Sequence, residues 1–305
     1  MAQKPWPAAR HASSHTLISC LYEEFIKSTL GYPAMAAVTL CAYGRTVKLV
    51  GPDKVVGLAL KLLPSTYGPT ESAPERTWTA GVRDDEQLSV LVERTELGSY
   101  ADASAATEAL LADLELWVAE HAQGAVFVHA GCAVADGRAI VIPGYTWFGK
   151  TSLVAALVRA GADYYSDEYA VLDDRGLVHP YPRSLRVRSR VGGTTERVPV
   201  AELGGTTGHG PAQVGLIAAV RYDGETGWDV APVSRSQAAL QLLTHTVGAQ
   251  SSPEVALHAI QGATEGALAV VGVRGEADEA ASTLLEMLDG LPSSRGGDSS
   301  GGNCT

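Results

Sequence analysis

Cysteine is scarce in this chain: four residues in 305, Cys20, Cys41, Cys132 and Cys304. No two of them stand at metal-ligand spacing, and they are too few to staple so long a chain. That argues against a zinc module or a disulfide scaffold, and free thiols in a reducing compartment are expected. Long apolar runs are also lacking. Nothing approaches the ~20 residues a membrane-crossing helix needs, and no apolar segment follows Lys4 and Arg10 as a secretion signal would require. A cytoplasmic protein without membrane association is therefore expected. Positive charge is outnumbered, with 23 Lys and Arg against 34 Asp and Glu and a net charge of -11. Such a surface repels nucleic-acid and anionic-lipid phosphates, so neither is an expected partner. No internal repeat is visible. What remains is ordinary globular material, 46% hydrophobic and 19% charged, enough for a sizeable core and long enough for about two domains.

The pattern divides the chain at about residue 100. Residues 1–100 read as α/β material with no recognisable chemistry, a candidate region for substrate or partner recognition. One or two strands cover 35–50, broken at Tyr43-Gly44-Arg45, a Pro-rich loop covers 64–76, and strands cover 78–82 and 88–93. Residues 101–291 form the second domain. Leu110, Leu114, Trp117, Val118 and His121 mark one face of a helix over 104–121. A short apolar run covers 125–128, and after His129-Ala130-Gly131 the turn Ala135-Asp136-Gly137 joins 132–134 and 138–142 in a β-hairpin. A helix over 152–160 is stopped by Gly161, and a strand over 164–166 ends at Asp167-Glu168. Further strands are expected at 214–222 and 267–273. Helices are expected after the Ser234/Gln237 capping box, from Pro253, and over 276–288. The Ser/Gly-rich residues 292–305 read as a disordered tail.

Directly after the hairpin comes Gly144-Tyr145-Thr146-Trp147-Phe148-Gly149-Lys150-Thr151-Ser152. It fits the phosphate-loop pattern of a glycine, four free positions, then Gly-Lys-Thr. Backbone amides of the loop and of the following helix cradle the phosphates, Lys150 neutralises the β- and γ-phosphate oxygens, and the Thr151 hydroxyl can ligate Mg²⁺. A chance match is on the order of one in a hundred for a chain this long. The 33 glycines raise that risk; the strand before and the helix after lower it. Trp147 and Phe148 are bulky where small residues are usual. They can shield the phosphates, stack on a base, or pack into a neighbouring loop.

Asp167-Glu168 would be a solvated turn in isolation. One helix after a phosphate loop, a carboxylate there can hold Mg²⁺ or accept the proton of an incoming hydroxyl. His129 is either a structural strand-end histidine or an active-site group. Arg183, Arg186 and Arg188 can clamp phosphate or an acidic substrate, or form a charged strand face. His209, His245 and His258 show no metal-ligand spacing and read as structural.

Together, His129-Ala130-Gly131, Asp136-Gly137, the loop and the run from Val158 through Ser166-Asp167-Glu168 resemble the C-terminal domain of HPr kinase/phosphorylase and the broader group of bacterial proteins related to it. Tyr169 to Asp173 and His179-Pro180-Tyr181-Pro182-Arg183 extend the likeness. The resemblance implies a phosphoenolpyruvate-carboxykinase-like P-loop core, distinct from the Rossmann-like NTPases. It implies His129 as the active-site histidine, Lys150 and Thr151 as phosphate and Mg²⁺ ligands, and Asp167 as the group that activates a substrate serine. Glu168 stands where those kinases have a second Asp. The first hundred residues do not resemble the N-terminal domain of HPr kinase, and its C-terminal signature is not found.

The expected function is therefore ATP- and Mg²⁺-dependent transfer of the γ-phosphate to a serine-type hydroxyl, on a peptide, a protein or a small molecule. Catalysis would rest on Asp167, His129 and Lys150, nucleotide binding on residues 144–152, and the metal on Thr151, Asp167 and Glu168. A ribosomal precursor peptide is one candidate acceptor, and the resemblance suggests a homo-oligomer. The competing expectation is a non-catalytic nucleotide sensor, which the bulky Trp147-Phe148 pair favours.

Overall fold

A computed structural model describes residues 34–83, 85–188, 195–225 and 227–292. The polar start, Cys20, Cys304 and residues 293–305 lie outside these. Among the described residues the protein is a mixed α/β chain with two main mixed sheets and six α-helices. It divides into two compact units. Of the described residues, the first holds 34–39 with Val47–Lys61 and Ser72–Leu110; the second holds Leu40–Thr46, Leu62–Glu71 and those from Leu111 onward.

In the first unit, strands β2 (Arg45–Pro52) and β4 (Arg76–Val82) run parallel, and β5 (Leu88–Val92) pairs antiparallel with both β4 and β6 (Thr95–Tyr100). Val47, Leu49, Trp78, Ala80, Val90 and Val92 are buried on this sheet. Helix α1 (Asp53–Leu62) adds Val55, Val56 and Ala59. The break expected at Tyr43-Gly44 separates β1 (Met35–Ala42) from β2, with both turn residues at positive φ. β1 pairs antiparallel with the two-residue β3 (Gly68–Pro69), inside the stretch read as a loop. The sequence reading omits α1 and β6. No residue of β6 is buried, so it carries no alternating apolar signal.

Helix α2 (Ala103–His121) matches the expected span. Its buried positions are Ala103, Ala106, Thr107, Leu110, Leu111, Leu114, Glu115, Val118 and Ala119; His121, expected on that face, is exposed.

The second unit is built on β7 (Val126–Ala135) and β8 (Arg138–Pro143), joined by Asp136-Gly137 with both residues at positive φ, as a tight hairpin requires. β8 runs parallel to β14 (Gln213–Tyr222), and β14 parallel to β16 (Leu268–Arg274), whose far side pairs antiparallel with β15 (Trp228–Pro232). On the other side of β7 lie β10 (Tyr169–Leu172) and then β11 (Val178–His179). Side chains alternate strictly. Ala139 and Val141 face one core with Ala238, Leu242, Ala256 and Ile260 from α4 (Arg235–Thr244) and α5 (Pro253–Ala263). Ile140 and Ile142 face the other with α3 (Lys150–Arg159) and α6 (Ala277–Asp289). Helices cover both faces, so β8 reads as a continuous apolar run. The Ser234/Gln237 capping box opens α4 as expected.

Asp173 shapes the turn after β10, accepting from the Arg175 and Leu177 amides at 2.9 Å each. Gly176 in that turn has φ +78, and a Cβ there would strike the backbone of Gly262 and Ala263 at the end of α5. Gly176→Ala should therefore cost about 3 kcal/mol, from the left-handed backbone and from displacing main chain. A urea midpoint within experimental error of the parent would disprove this close approach.

Candidate phosphate-loop site

The site grows from one kinked strand pair. β7 pairs with β10 through Val126 to His129 and with β9 (Asp163–Ser166) through Cys132 to Val134. Asp167 and Glu168 are the break between β9 and β10. Ser166 makes that break, because its Oγ accepts from the Glu168 and Tyr169 amides at 3.1 and 3.0 Å. The two carboxylates thus leave the ladder opposite His129-Ala130-Gly131. Gly131 has no room for a side chain, since a Cβ would meet Val154 of α3 at 2.6 Å. Helix α3, which begins at the end of the loop, can therefore lie against the strand.

β8 delivers the loop and α3 leaves it. Gly149 is the N-cap of α3, at φ +81, with no side-chain cap bond, and the first turn carries no acidic residue. Its first amides are therefore not taken by a capping side chain, the arrangement that suits an anion. The Lys150 ammonium is buried and donates to Gly144 O at 2.8 Å and Tyr145 O at 3.0 Å. Burial lowers its pKa, against the opposing charges of Glu168 and Asp167.

The bulky loop residues have different fates. Phe148 packs edge-on against Tyr145, with centroids 5.5 Å apart, and lies over Gly144. Tyr145 in turn meets His245 edge-on at 4.6 Å. Trp147 is 75% exposed at φ +77. Beneath the loop, the guanidinium of Arg274 donates from Nη2 to Gly149 O at 2.7 Å and from Nη1 to Gly275 O at 2.8 Å, and it lies 5.3 Å over the Tyr222 ring. Any Cβ at position 149 would meet Arg274 Nη2 at 2.6 Å. Glycine is needed there for its backbone angle and for this contact.

Thr151 Oγ1 donates to Asp167 Oδ2 at 3.0 Å, and Tyr164 OH donates to Asp167 Oδ1 at 2.9 Å. The Arg186 amide approaches Oδ2 at 3.4 Å. Burial raises the Asp167 pKa, aided by the Glu168 charge and opposed by the Tyr164, Thr151 and Arg186 hydrogen bonds. Glu168 goes the other way. Burial pushes it up, but the His129 hydrogen bond and charge, then Arg183 and Lys150, outweigh that and hold it below the usual carboxylate range. His129 Nε2 lies 3.5 Å from Glu168 Oε1, and its amide donates to His245 O at 2.7 Å. Neighbouring carboxylates are thus pushed in opposite directions, the pattern of split acid–base roles.

His129, Thr146, Trp147, Gly149, Lys150, Thr151, Ser152, Asp167, Glu168 and Arg186 line one cleft of about 430 Å³. Arg186 sits there at the start of the β12 (Leu185–Arg188) and β13 (Thr195–Val198) hairpin. The Arg188 side chain lies outside what the structure describes. Arg183 is directed to Glu115 of α2, with Nη1 2.7 Å from Oε2, and Tyr181 OH donates to the other Glu115 oxygen at 2.9 Å. Burial opposes the Arg183 charge, but Glu115, then Tyr181, Glu168 and Asp167, hold its pKa above the usual value. Burial likewise lifts Glu115, to about 7, against the pull of Arg183 and Tyr181. These two directions conflict over the charge of the pair. A guanidinium keeps its proton in a protein, and a neutral Glu115 would deprive it of its directly bonded counter-ion, so we assign the pair as ionic.

Five residues of the site had no sequence signal. Glu115 looks like an ordinary helix residue, Tyr164 an ordinary strand residue, and Tyr222 and Arg274 lie far along the chain. His245 read as structural because no spacing paired it with another ligand. Burial lowers its pKa, helped by the charges of His129 and Lys150. His209 lines a separate cavity, and His258 is exposed on α5. No protein-family model matches this chain, and no curated protein is significantly similar to it.

Proposed function

We propose that this chain is an ATP-dependent kinase of the HPr-kinase-like type, transferring the γ-phosphate to a serine-type hydroxyl. The observation that carries the reading is the Thr151–Asp167 hydrogen bond, which sits in the same cleft as Lys150. A phosphate loop alone argues only for nucleotide binding. A carboxylate bonded to the loop's own threonine puts a candidate base beside the candidate phosphate site.

The donor set fits Mg²⁺. Thr151 and Asp167 are hard oxygen donors, and this ion commonly takes one or two carboxylates together with substrate phosphates. Among the described residues no three His, Cys, Asp or Glu side chains converge as a full metal cage, and Mg²⁺ needs none. Bound there, it would neutralise charge on the phosphate oxygens. Lys150 and the α3 amides would hold those oxygens. Asp167 would accept the proton of the acceptor hydroxyl as its oxygen bonds to the γ-phosphorus and the bond to ADP breaks. Glu168, fixed by His129, would stay anionic and orient the histidine. Such transfer depends chiefly on positioning and charge.

The connectivity supports the finer fold reading, a carboxykinase-like P-loop core. The strand entering the loop, β8, has a parallel neighbour on one side and antiparallel β7 on the other. A doubly wound Rossmann-like sheet would flank it with parallel strands.

The test is incubation of the full chain with Mg²⁺ and γ-labelled ATP against serine-containing peptides and small alcohols. Label on an acceptor, matched by ADP, is the expected result. Tight nucleotide binding with neither transfer nor hydrolysis across the panel would replace the kinase reading with that of a nucleotide sensor.

A further inference from the structure

Arg274 ends β16 with its side chain only 1% exposed. Taking a guanidinium out of water is costly unless its donors are met. Here main chain meets them, through Gly149 O at 2.7 Å and Gly275 O at 2.8 Å. Tyr222 and Arg274 are register partners on the parallel strands β14 and β16. Each takes one carbonyl of the phosphate loop, and the two carbonyls are consecutive. The Tyr222 amide donates to Phe148 O at 3.1 Å, and Arg274 donates to Gly149 O. Gly149 O also accepts from the Leu153 amide at 3.1 Å, the opening bond of α3. The close packing of this corner leaves no slack, since a Cβ at Gly149 would meet Tyr222 Cβ at 3.1 Å as well as the guanidinium.

In a trans peptide the carbonyl and the following N–H point in opposite directions. Holding Phe148 O and Gly149 O from behind therefore turns the amides of Gly149 and Lys150 away from the two strand ends. Both residues line the cleft, whereas Arg274 is buried. These are the amides on which an anion at the start of α3 would rest. The first half of the loop is held separately, by Lys150 on Gly144 O and Tyr145 O. The geometry points to Arg274 as a positioning residue for phosphate binding: with the Tyr222 amide, it presets two consecutive loop amides before a ligand arrives. It acts through Gly149, not by contact with the ligand. The planar fork suits the task, because it meets two carbonyls in one fixed arrangement; a lysine would bring the same charge on a single nitrogen. This inference rests on the phosphate-loop reading of residues 144–151.

Calorimetric titration of the full chain with the magnesium complexes of ATP and of inorganic tripolyphosphate reads the effect, with thermal unfolding followed in parallel. Arg274→Lys and Arg274→Met should each weaken both ligands by about tenfold, the scale of losing one charge-assisted hydrogen bond. Wild-type affinity in Arg274→Lys beside weakened binding in Arg274→Met would leave only an effect of charge, and positioning would be overturned. Unchanged affinity in both variants with a lowered unfolding temperature would make Arg274 a purely structural arginine. Weakening of ATP but not of tripolyphosphate would place its effect on the nucleoside instead of the phosphates, which also overturns the assignment. The wild-type protein gives a second reading that needs no variant to fold. The Gly149 and Lys150 amides should show the order parameters of rigid backbone, about 0.85, both before and after tripolyphosphate is added. Values below about 0.6 in the free protein would show that nothing presets them. A wild-type protein that binds neither probe would sink the phosphate-loop reading itself, and this inference with it.

Discussion

Lys150→Ala should lower phosphoryl transfer by on the order of 10⁴-fold, the scale of losing a cation that meets transition-state charge on a phosphoryl group. The ammonium is buried within its own loop and spans two carbonyls, Gly144 O and Tyr145 O. Both carbonyls belong to the segment that would wrap the phosphates, so the lysine orders the loop as well as supplying charge. The charge is kept at a cost, since burial lowers the lysine pKa while Glu168 and Asp167 oppose the shift. A lysine retained against burial at a helix start reads as functional. Its removal should leave the fold intact, because the neighbouring core of Leu153, Val154 and Leu157 is untouched. The check is the rate of ADP and phospho-acceptor formation alongside a thermal unfolding curve. Activity within a few fold of wild type would remove Lys150, and with it the phosphate-loop assignment.

How much of this was legible in the sequence depended on how local the cause was. The loop, its entering strand and its leaving helix follow from contiguous signals: the Asp136-Gly137 turn, the apolar run of β8, and Gly149-Lys150-Thr151. Asp167-Glu168 was legible as a strand end. Its geometry was not, because the break is made by Ser166 taking two backbone amides, a hydrogen-bonding choice that composition does not advertise. Arg183 and Arg186 looked alike, three residues apart in one run. The structure separates them, with one guanidinium 2.7 Å from buried Glu115 and the other residue on the cleft wall. What decides between them is a glutamate 68 positions upstream of Arg183 in a helix. Arg274 was illegible for the same reason, its partner Gly149 O lying 125 residues away. Long-range polar pairings leave no local trace in the sequence, whereas burial does, as the apolar run of β8 shows.

The same long-range pairings give the two adjacent carboxylates opposite signatures. Asp167→Asn should lower transfer by about 10³-fold, the scale of losing a general base, and should not destabilise the protein at neutral pH. The sign follows from linkage. Burial raises the folded-state pKa of Asp167 above its unfolded value of about 3.9. Its contribution to stability is therefore fully present below that unfolded value and is lost as pH rises through the raised folded value. At neutral pH the ionised side chain strains the fold, and an uncharged amide of the same shape relieves it. The Thr151 and Tyr164 hydroxyls can each turn to accept from the amide nitrogen or donate to its oxygen. Glu168→Gln is the control with the opposite sign. Its folded-state pKa is depressed by His129, Arg183 and Lys150 despite burial, so its stabilisation is present above the unfolded value and is lost as pH falls through the folded one. At neutral pH that variant should be less stable than wild type. Denaturant midpoints for both variants, with transfer rates on the same preparations, read the two effects together. Loss of both stability and activity in Asp167→Asn would make Asp167 a structural anion, whereas loss of activity alone marks a carboxylate kept for its chemistry at the expense of the fold.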